Sequence, residues 1–479
     1  LFNKGFIPVR KKADDEIMTD DIAFLNKTYL SELAQDEDRA RKQLDDLNRF
    51  LVEKNCTYQG RPMPTLLKPI FISPDQARLL QYSVDIISST LHKFIRLYLK
   101  NEEVRQIMNF GEKENELFFI DPGYSVPLVI ARLDAFMDNE TIKFLEFNCD
   151  SPAGIAYSDI MEDGFRELFR GYPFLAGWKI EYVHRQKLLL EALMACYREF
   201  RTGHPGLPDR PTIAIVDWED LSTSSEFELL KIFFEEKGYP TIITSPQKVT
   251  VTGSRMTAGG QEIHLIYRRV ITRELLKRWD EVEEYIRGIK QGYACVCNPF
   301  QSYIVGSKKS LALLTNPRFQ DIYNDDELSM IKRSIPWTRI LANGTTLYQG
   351  STINLHSFVS QNKDRLVLKP ANSYGGKDVF LGRETDQNTW ESVIREQIDS
   401  EEWVVQEYVP IPEEYFPDIG DTVSLRLKKV NINPFAFRCK YGGTISRISE
   451  NSIINVSAGG GLVPTMNASR IIPEAGTGE

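Results

Sequence analysis

The segment Arg132-Leu-Asp-Ala-Phe-Met-Asp-Asn-Glu-Thr-Ile-Lys-Phe-Leu-Glu-Phe-Asn-Cys-Asp-Ser-Pro-Ala-Gly154 sets three oxygen ligands, Asp134, Glu146 and Asn148, beside an arginine. Two carboxylates and an amide suit a hard divalent cation such as magnesium. Val126–Phe136 and Ile142–Cys149 have the pattern of strands, and Asp138-Asn139-Glu140 is a polar turn between them. Alternate residues of a strand face the same way. Arg132 therefore shares a face with Asp134, and Glu146 with Asn148. The two pairs meet only if an odd number of residues stays unpaired at the turn, since a two-residue loop would turn Asp134 away from Glu146. An edge hairpin with a solvated acidic face would carry the same residues, so the segment alone leaves both readings open.

A second group lies in Leu366-Val-Leu-Lys-Pro-Ala-Asn-Ser-Tyr-Gly-Gly-Lys-Asp-Val-Phe-Leu381. A strand ends on Lys369, a loop holds Gly375 and Gly376, and another strand follows. Paired glycines let backbone N–H groups approach phosphate oxygens, and a lysine at the strand end adds positive charge. The loop is not the G-x-x-x-x-G-K-[ST] phosphate loop, which is absent from the chain. An ordinary hairpin could also require its glycines only for turn dihedrals. Next comes Trp403-Val-Val-Gln-Glu-Tyr-Val-Pro410, an apolar strand stopped by Pro410 and Pro412 after a polar pair. It could lie along a nucleotide base or be a core strand running to the surface.

The elements that must position these residues can be read in outline. Residues 14–110 are mostly helical: Asp20–Asn55 has apolar residues at three- and four-residue steps, and Ser73-Pro-Asp-Gln opens a helix running through Leu99. Helices are expected over Asp159–Phe169 and Val183–Phe200. A breaker-rich stretch, Thr202 to Pro211, precedes a small α/β unit with strands at Thr212–Val216, Gly238–Thr244 and His264–Tyr267 around a helix at Ser224–Lys237. No G-x-G-x-x-G follows its first strand, which argues against a dinucleotide site there. The last 180 residues mix further strands with short helices and glycine-rich turns, including strands at Thr422–Val430 and Ile453–Ser457.

The chain of 479 residues is long enough for two or three cores. Its net charge of −9 argues against a nucleic-acid partner, which needs a basic surface. Six scattered cysteines without a C-x-x-C pair, and five histidines without metal spacing, argue against a disulfide framework and a zinc site. Acidic neighbours discourage nucleophilic use of Cys149. The opening Leu-Phe-Asn-Lys-Gly-Phe does not have the pattern of a signal peptide, and no apolar run approaches ~18 residues. A cytoplasmic protein with no membrane partner is expected.

In order and spacing these pieces resemble the ATP-grasp ligases, in the circularly permuted branch that includes glutathionylspermidine synthetase-like enzymes. The motifs that carry the resemblance are Arg132-Leu-Asp134, Glu146-Phe-Asn148 and Asp150-Ser-Pro152, followed by Ser307-Lys-Lys-Ser310 and the Lys369 loop. The resemblance covers roughly residues 115–465. It implies a circularly permuted ATP-grasp fold of the α/β (α+β) class. Its expected parts are a helical region over 1–110, the metal-binding hairpin and helices over 111–205, a pre-ATP-grasp α/β unit over 206–300, and the ATP-binding domain over 301–479.

By that resemblance Asp134, Glu146 and Asn148 bind magnesium, with two ions expected, and Arg132 contacts the transferred phosphate. Lys309, slightly preferred to Lys308, and Lys369 bind ATP. Gly375 and Gly376 form a flap, with Tyr374–Lys377 closing over the site, and Gln406, Glu407, Tyr408 and Val409 form the adenine hinge. Two further pieces look like less-characterised permuted members: Ile266-Tyr-Arg-Arg-Val270, and Gly442–Arg447 with Asn455–Gly461. They imply that Arg447 helps hold phosphate and that Arg268 or Arg269 faces an acceptor pocket. An exposed strand end is the plainer reading of that arginine pair. The activity implied is ADP-forming amide-bond formation between a small carboxylate, an amino acid or peptide, and an amine. A phosphotransferase using the same ATP cradle, and a silent ATP-binding subunit of a partner enzyme, are the alternatives. The first 110 residues carry no motif of this family, and no reactive-cysteine amidase sequence precedes the hairpin.

Overall fold

The computed structural model describes the backbone of residues 12–471, apart from 220, 222, 374, 421 and 456–458, and side chains from residue 21 onward. Its largest element is an eight-stranded sheet. The strand order is Ile70–Ile72, Gly461–Arg470, Lys440–Ser449, Val423–Phe437, Ile130–Met137 and Ile142–Asn148, with Glu413–Ile419 pairing with Val423–Phe437 and Trp178–Glu181 with Gly461–Arg470. The pairings are antiparallel except that of Ile70–Ile72 with Gly461–Arg470. Strands from both sides of the small α/β unit thus share one sheet.

The two faces of this sheet follow from residue alternation. Leu133, Ala135, Phe144, Ile432, Ile448 and Val463 turn to one side and enter a core with Leu80, Val84, Ile87, Leu91 and Phe94 of the helix Pro74–Lys100. Burying each large side chain contributes ~1.5–3 kcal/mol, so a one-residue slip of any central strand is strongly disfavoured. Arg132, Asp134, Glu146, Asn148, Asn431 and Arg447 are left for the other face. The helix is started as its sequence suggests: Ser73 accepts from the Gln76 N–H, the Gln76 side chain accepts from the Ser73 N–H, and Pro74 is the first helical residue.

A four-stranded antiparallel sheet, Thr338–Ile340, Trp403–Glu407, Leu366–Pro370 and Phe380–Leu381, stands opposite that polar face. Leu366, Leu368 and Val405 pack into its own small core around Trp390, Val359 and Ile394. Val367, Lys369 and Gln406 therefore point away from that core. The small α/β unit has a fully parallel sheet ordered Cys295–Cys297, Leu265–Arg268, Ile213–Val216 and Thr241–Thr244, as its β-α-β pattern suggests.

Several boundaries differ from expectation. The helical pattern over 20–55 is split into Lys12–Gln35 and Glu37–Glu53, because Asp36 leaves the helical conformation and caps the second helix by accepting from the Arg39 N–H. The expected Thr422–Val430 strand runs on to Phe437. Of the expected strand at Ile453–Ser457, Ile453 to Asn455 belong to no strand, and Val456 and Ser457 lie outside the described residues. Among the described residues no helix is long and apolar enough to cross a membrane.

Candidate functional site

The acidic hairpin reaches the expected arrangement by an unexpected route. Met137 pairs with Ile142, so residues 138 to 141 form a loop of four, an even number. That loop alone would set Asp134 opposite Leu145 and turn Glu146 to the core. A bulge intervenes. Ala135 pairs with Phe144, but Asp134 pairs with Glu146 and Arg132 with Asn148, leaving Leu145 as the extra residue. One inserted residue restores the parity that an odd turn would have supplied. The condition placed on the turn is therefore corrected: the bulge meets it.

Arg132, Asp134, Glu146 and Asn148 consequently line a cleft of about 330 Å³ between the two antiparallel sheets. Lys369, Gly375, Gly376, Gln406, Glu407, Tyr408, Val409 and Arg447 line the same cleft. Motifs separated by more than 300 residues in sequence are brought to one cavity. Asp134 is buried between two guanidinium groups: Arg132 Nε donates to Oδ1 at 3.2 Å, and Arg447 Nη1 to Oδ2 at 2.8 Å. Arg132 Nη1 also donates to the Ala153 carbonyl at 2.9 Å, tying the hairpin to the Ser-Pro-Ala-Gly turn. Burial and the nearby Arg447 charge lower the Arg132 pKa, opposed by Asp134.

Of the lysine pair, Lys308 is the one turned toward the acidic hairpin. Its ammonium lies 3.2 Å from Glu146 Oε2 and donates to the Ser373 carbonyl at 2.8 Å. Lys309 begins the helix Lys309–Leu314 and points the other way, donating to the Met108 carbonyl and to Glu402 Oε1, both at 3.2 Å. The preference for Lys309 is thus not met by its position, because consecutive residues at a helix start project about 100° apart. Nothing local in Ser-Lys-Lys-Ser distinguishes the two; the packing of that turn against Ala371 does, through the bond from the Lys308 N–H to the Ala371 carbonyl.

Lys369 Nζ donates to Gln406 Oε1 at 2.8 Å, and Gln406 in turn donates to Thr338 Oγ1 at 3.1 Å. Burial lowers the Lys369 pKa to about 8, with Glu146 opposing and Lys308 adding to the shift. For Glu146 burial acts upward, but Lys308, Lys369 and Arg447 outweigh it and hold the carboxylate below its usual range. Two carboxylates, Asp134 and Glu146, amid four cations, Arg132, Lys308, Lys369 and Arg447, leave the site short of negative charge, the condition that a polyphosphate relieves.

Gly375 and Gly376 both have left-handed φ angles, +75° and +72°. A Cβ on Gly376 would overlap Ile453 Cγ2, so the loop needs glycine for conformation and for close approach alike. Asn455 Nδ2 donates to the Gly375 carbonyl at 3.1 Å and fastens the loop to the segment before Gly461–Arg470. Tyr374, the first residue of the expected closing segment, lies outside the described residues, as do Val456 to Ala458. In the hinge, the N–H groups of Glu407 and Tyr408 are used on the Trp337 and Arg365 carbonyls. Among the described residues the Val409 N–H has no such partner, and it lines the cleft.

Magnesium can be tested against this donor set. The Glu146 carboxylate is ionised; the Asn148 amide nitrogen, buried without a hydrogen-bond partner, is a donor suited to a phosphate oxygen, and only its amide oxygen could ligate a cation. Both Asp134 oxygens are already engaged by arginines. Among the described residues no group of three or more His, Cys, Asp or Glu is placed to hold a metal. Two protein ligands still fit magnesium, which commonly takes one or two carboxylates and completes its shell with substrate phosphates and water.

Arg268 and Arg269 are buried and lie outside the lining of the cleft. Arg268 is fully buried and bonds Asp150 Oδ1 at 2.7 Å, while Asp150 also accepts from the Thr272 N–H and hydroxyl at 2.7 Å. Arg269 donates to the Pro152 carbonyl at 2.5 Å. Their charges fix the turn beneath Arg132. They are not an exposed strand end, because Asp150 needs a buried partner. Leu145 and Asn431 also border the cleft. Asn431 accepts from Asn433 Nδ2 at 2.5 Å and donates to the Ala135 carbonyl at 3.0 Å. The alternation Val430-Asn-Ile-Asn was the available signal for Asn431.

No protein-family model and no curated protein matches the chain. Among solved structures, a glutathione synthetase-like effector from Globodera pallida in its apo form superposes with a TM-score of 0.63 at 11% identity, covering 91% of this chain and 98% of that one. The likeness establishes a mixed α/β fold of the glutathione synthetase-like type. A proposed gamma-glutamylcysteine synthetase from Methylobacillus flagellatus, also 11% identical and covering 82% and 87%, has a TM-score of 0.38, too low to support a common fold.

Proposed function

We propose that the chain is an ATP-grasp ligase, circularly permuted, that joins a small carboxylate to an amine with release of ADP and phosphate. The observation that carries this reading is the convergence of Glu146, Lys369 and the Arg132–Asp134–Arg447 group on one cleft between two antiparallel sheets, with Lys308 held behind it against Glu146. The division at about 110, 205 and 300 into helical, metal-binding, α/β and ATP-binding parts belongs to the same proposal.

ATP would lie with its base along Gln406–Val409, the Val409 N–H being free to donate to it, and its phosphates between Lys308 and Lys369. Gly375 and Gly376 would cover the phosphates. Magnesium, held by Glu146, Asn148 and phosphate oxygens, would supply charge neutralisation. Asp134 is assigned the task of aligning Arg132 and Arg447. A second cavity of about 260 Å³ shares Arg132, Arg447 and Asn455 with the cleft and is bordered by Gly154 and Tyr157 at the start of the helix Ile155–Phe169. The acid substrate would sit there, with its carboxylate toward the arginines.

A carboxylate oxygen attacks the γ-phosphorus, the bond to ADP breaks, and an acyl phosphate forms. The amine then attacks the carbonyl carbon, phosphate leaves, and the amine gives up a proton. Arg132 and Arg447 stabilise the charge on the transferred group, and no side-chain nucleophile takes part. Water exclusion by the glycine loop protects the acyl phosphate from hydrolysis.

The test is ADP release during a screen of amino acids, peptides and polyamines, with hydroxylamine present. Hydroxamate formation supports the ligase. A stable phosphorylated product would establish the phosphotransferase instead, and nucleotide binding without ADP release under any pairing would leave the silent subunit.

A further inference from the structure

A cavity of about 430 Å³ lies on the opposite face of the same sheet. Alternation places it directly behind the cleft: Phe136 and Asn431 border the cleft, while Met137, Val430 and Ile432 border this second space. The remaining wall comes from Ile22, Ala23 and Asn26 of the first helix and from Pro412 to Glu414. Its volume is in the range of small-molecule sites.

Its chemistry is one-sided. The floor is apolar. The polar border carries Asp138, Glu413 and Glu414, and among the described lining residues there is no lysine, arginine or histidine. Glu414 is neutralised from outside the cavity by Lys68, whose ammonium lies 2.6 Å from its Oε1. Among the described residues neither Asp138 nor Glu413 forms an ion pair; the Asp138 carboxylate accepts from the Glu140 and Thr141 N–H groups and the Thr141 hydroxyl, with Lys143 acting on it at longer range, and Glu413 is the uncompensated charge. Asn26 Oδ1 is buried and accepts no hydrogen bond, a state that costs roughly 1–3 kcal/mol unless a donor arrives. The donors at hand are satisfied: Gln76 Nε2 bonds Asn139 Oδ1 at 3.3 Å, and the Ser73 N–H bonds Gln76 Oε1. What is missing is a positively charged donor with an apolar body.

We propose that this cavity binds an ammonium ligand with a hydrophobic body, and that it acts as an effector site for the cleft across the sheet. A ligand here cannot be the amine substrate, since the sheet separates it from Arg132 and Lys369. The coupling route is short. Pro412 lies three residues after Val409, and its carbonyl accepts from the Val430 N–H at 2.8 Å, joining the hinge to the strand that carries Asn431. Filling the space behind Val430 and Ile432 changes the packing that fixes that strand, and binding at the two faces is then reciprocally linked.

The probe is hexylammonium, titrated calorimetrically into the full chain at pH 7.5 without nucleotide, with hexan-1-ol and hexanoate as controls. Hexylammonium is expected to bind about tenfold tighter than hexan-1-ol, and Glu413→Gln to weaken it about threefold. Ala23→Trp, an exposed helix position at the cavity wall, should abolish binding while leaving the circular dichroism spectrum unchanged. Equal affinity for hexan-1-ol, undiminished binding to Ala23→Trp, or no binding at all overturns the site. Saturating ATP should shift hexylammonium affinity about threefold or more; no shift, with ATP shown to be bound, overturns the coupling. The nucleotide-free titration decides the site whether or not the ligase reading holds.

Discussion

Lys369 makes the proposed phosphate cradle testable by pH. Its pKa is lowered to about 8 by burial, with Lys308 adding to the shift and Glu146 opposing it. Below pH 8 the side chain is charged and attracts phosphate; above it the free protein holds neutral lysine. A bound polyanion raises the pKa again, so ATP binding above pH 8 must take up a proton. If only the charged form binds, apparent Kd grows as 1 + 10^(pH − pKa), about eightfold between pH 7.5 and pH 9.

The measurement is isothermal titration with ATP and no divalent cation, in two buffers of different ionisation enthalpy. Proton uptake should be about 0.5 per ATP at pH 8 and about 0.9 at pH 9. Lys369→Arg, whose charge persists throughout, should flatten the affinity profile. Glu146→Gln should move it to lower pH by about one unit, because the opposing charge is lost. Affinity that stays flat to pH 9 in the unaltered chain, with no proton uptake, would refute the placement of Lys369 against phosphate.

Three further outcomes follow from the same geometry. Lys308→Ala should weaken ATP binding about tenfold or more, whereas Lys309→Ala, which removes a buried donor from the Met108 carbonyl, should cost about 1–3 kcal/mol in urea unfolding and change ATP affinity less than twofold. Arg268→Ala should destabilise the fold by about 3–5 kcal/mol, since it leaves Asp150 buried without its ion partner; a loss of unfolding free energy in urea below about 1 kcal/mol would contradict that role. Gly376→Ala should reduce nucleotide affinity by straining a left-handed loop position against Ile453, and adding Ile453→Ala should recover part of the loss in a fluorescent-nucleotide titration.

Much of the site was legible because its pieces are local. Arg132 with Asp134, Glu146 with Asn148, and Lys369 before two glycines are short-range patterns, and strand alternation already sorts each pair onto one face. The capping residues of Pro74–Lys100 and the parallel β-α-β unit were legible for the same reason: each depends on neighbours a few positions away. Other features depended on distant chain. An even loop was offset by a bulge at Leu145, which packing against Ala135 and Phe144 on the core side enforces. Lys308 and Lys309 are equivalent in sequence and became different only when Ala371, Ser373 and Glu402 closed around them. Arg268 and Arg269 looked available for a substrate until Asp150 and Pro152, more than 110 residues earlier, were packed against them.

The residue types and their short spacings therefore determined by themselves the chemistry available to this protein: carboxylates, an amide, lysines and arginines suited to a phosphate and a divalent cation. The tertiary structure decided which of those groups meet. Periodicity is imposed by the backbone within one element, but facing across elements is imposed by burial of apolar surface, and that free energy exists only once the sheets have closed on their cores.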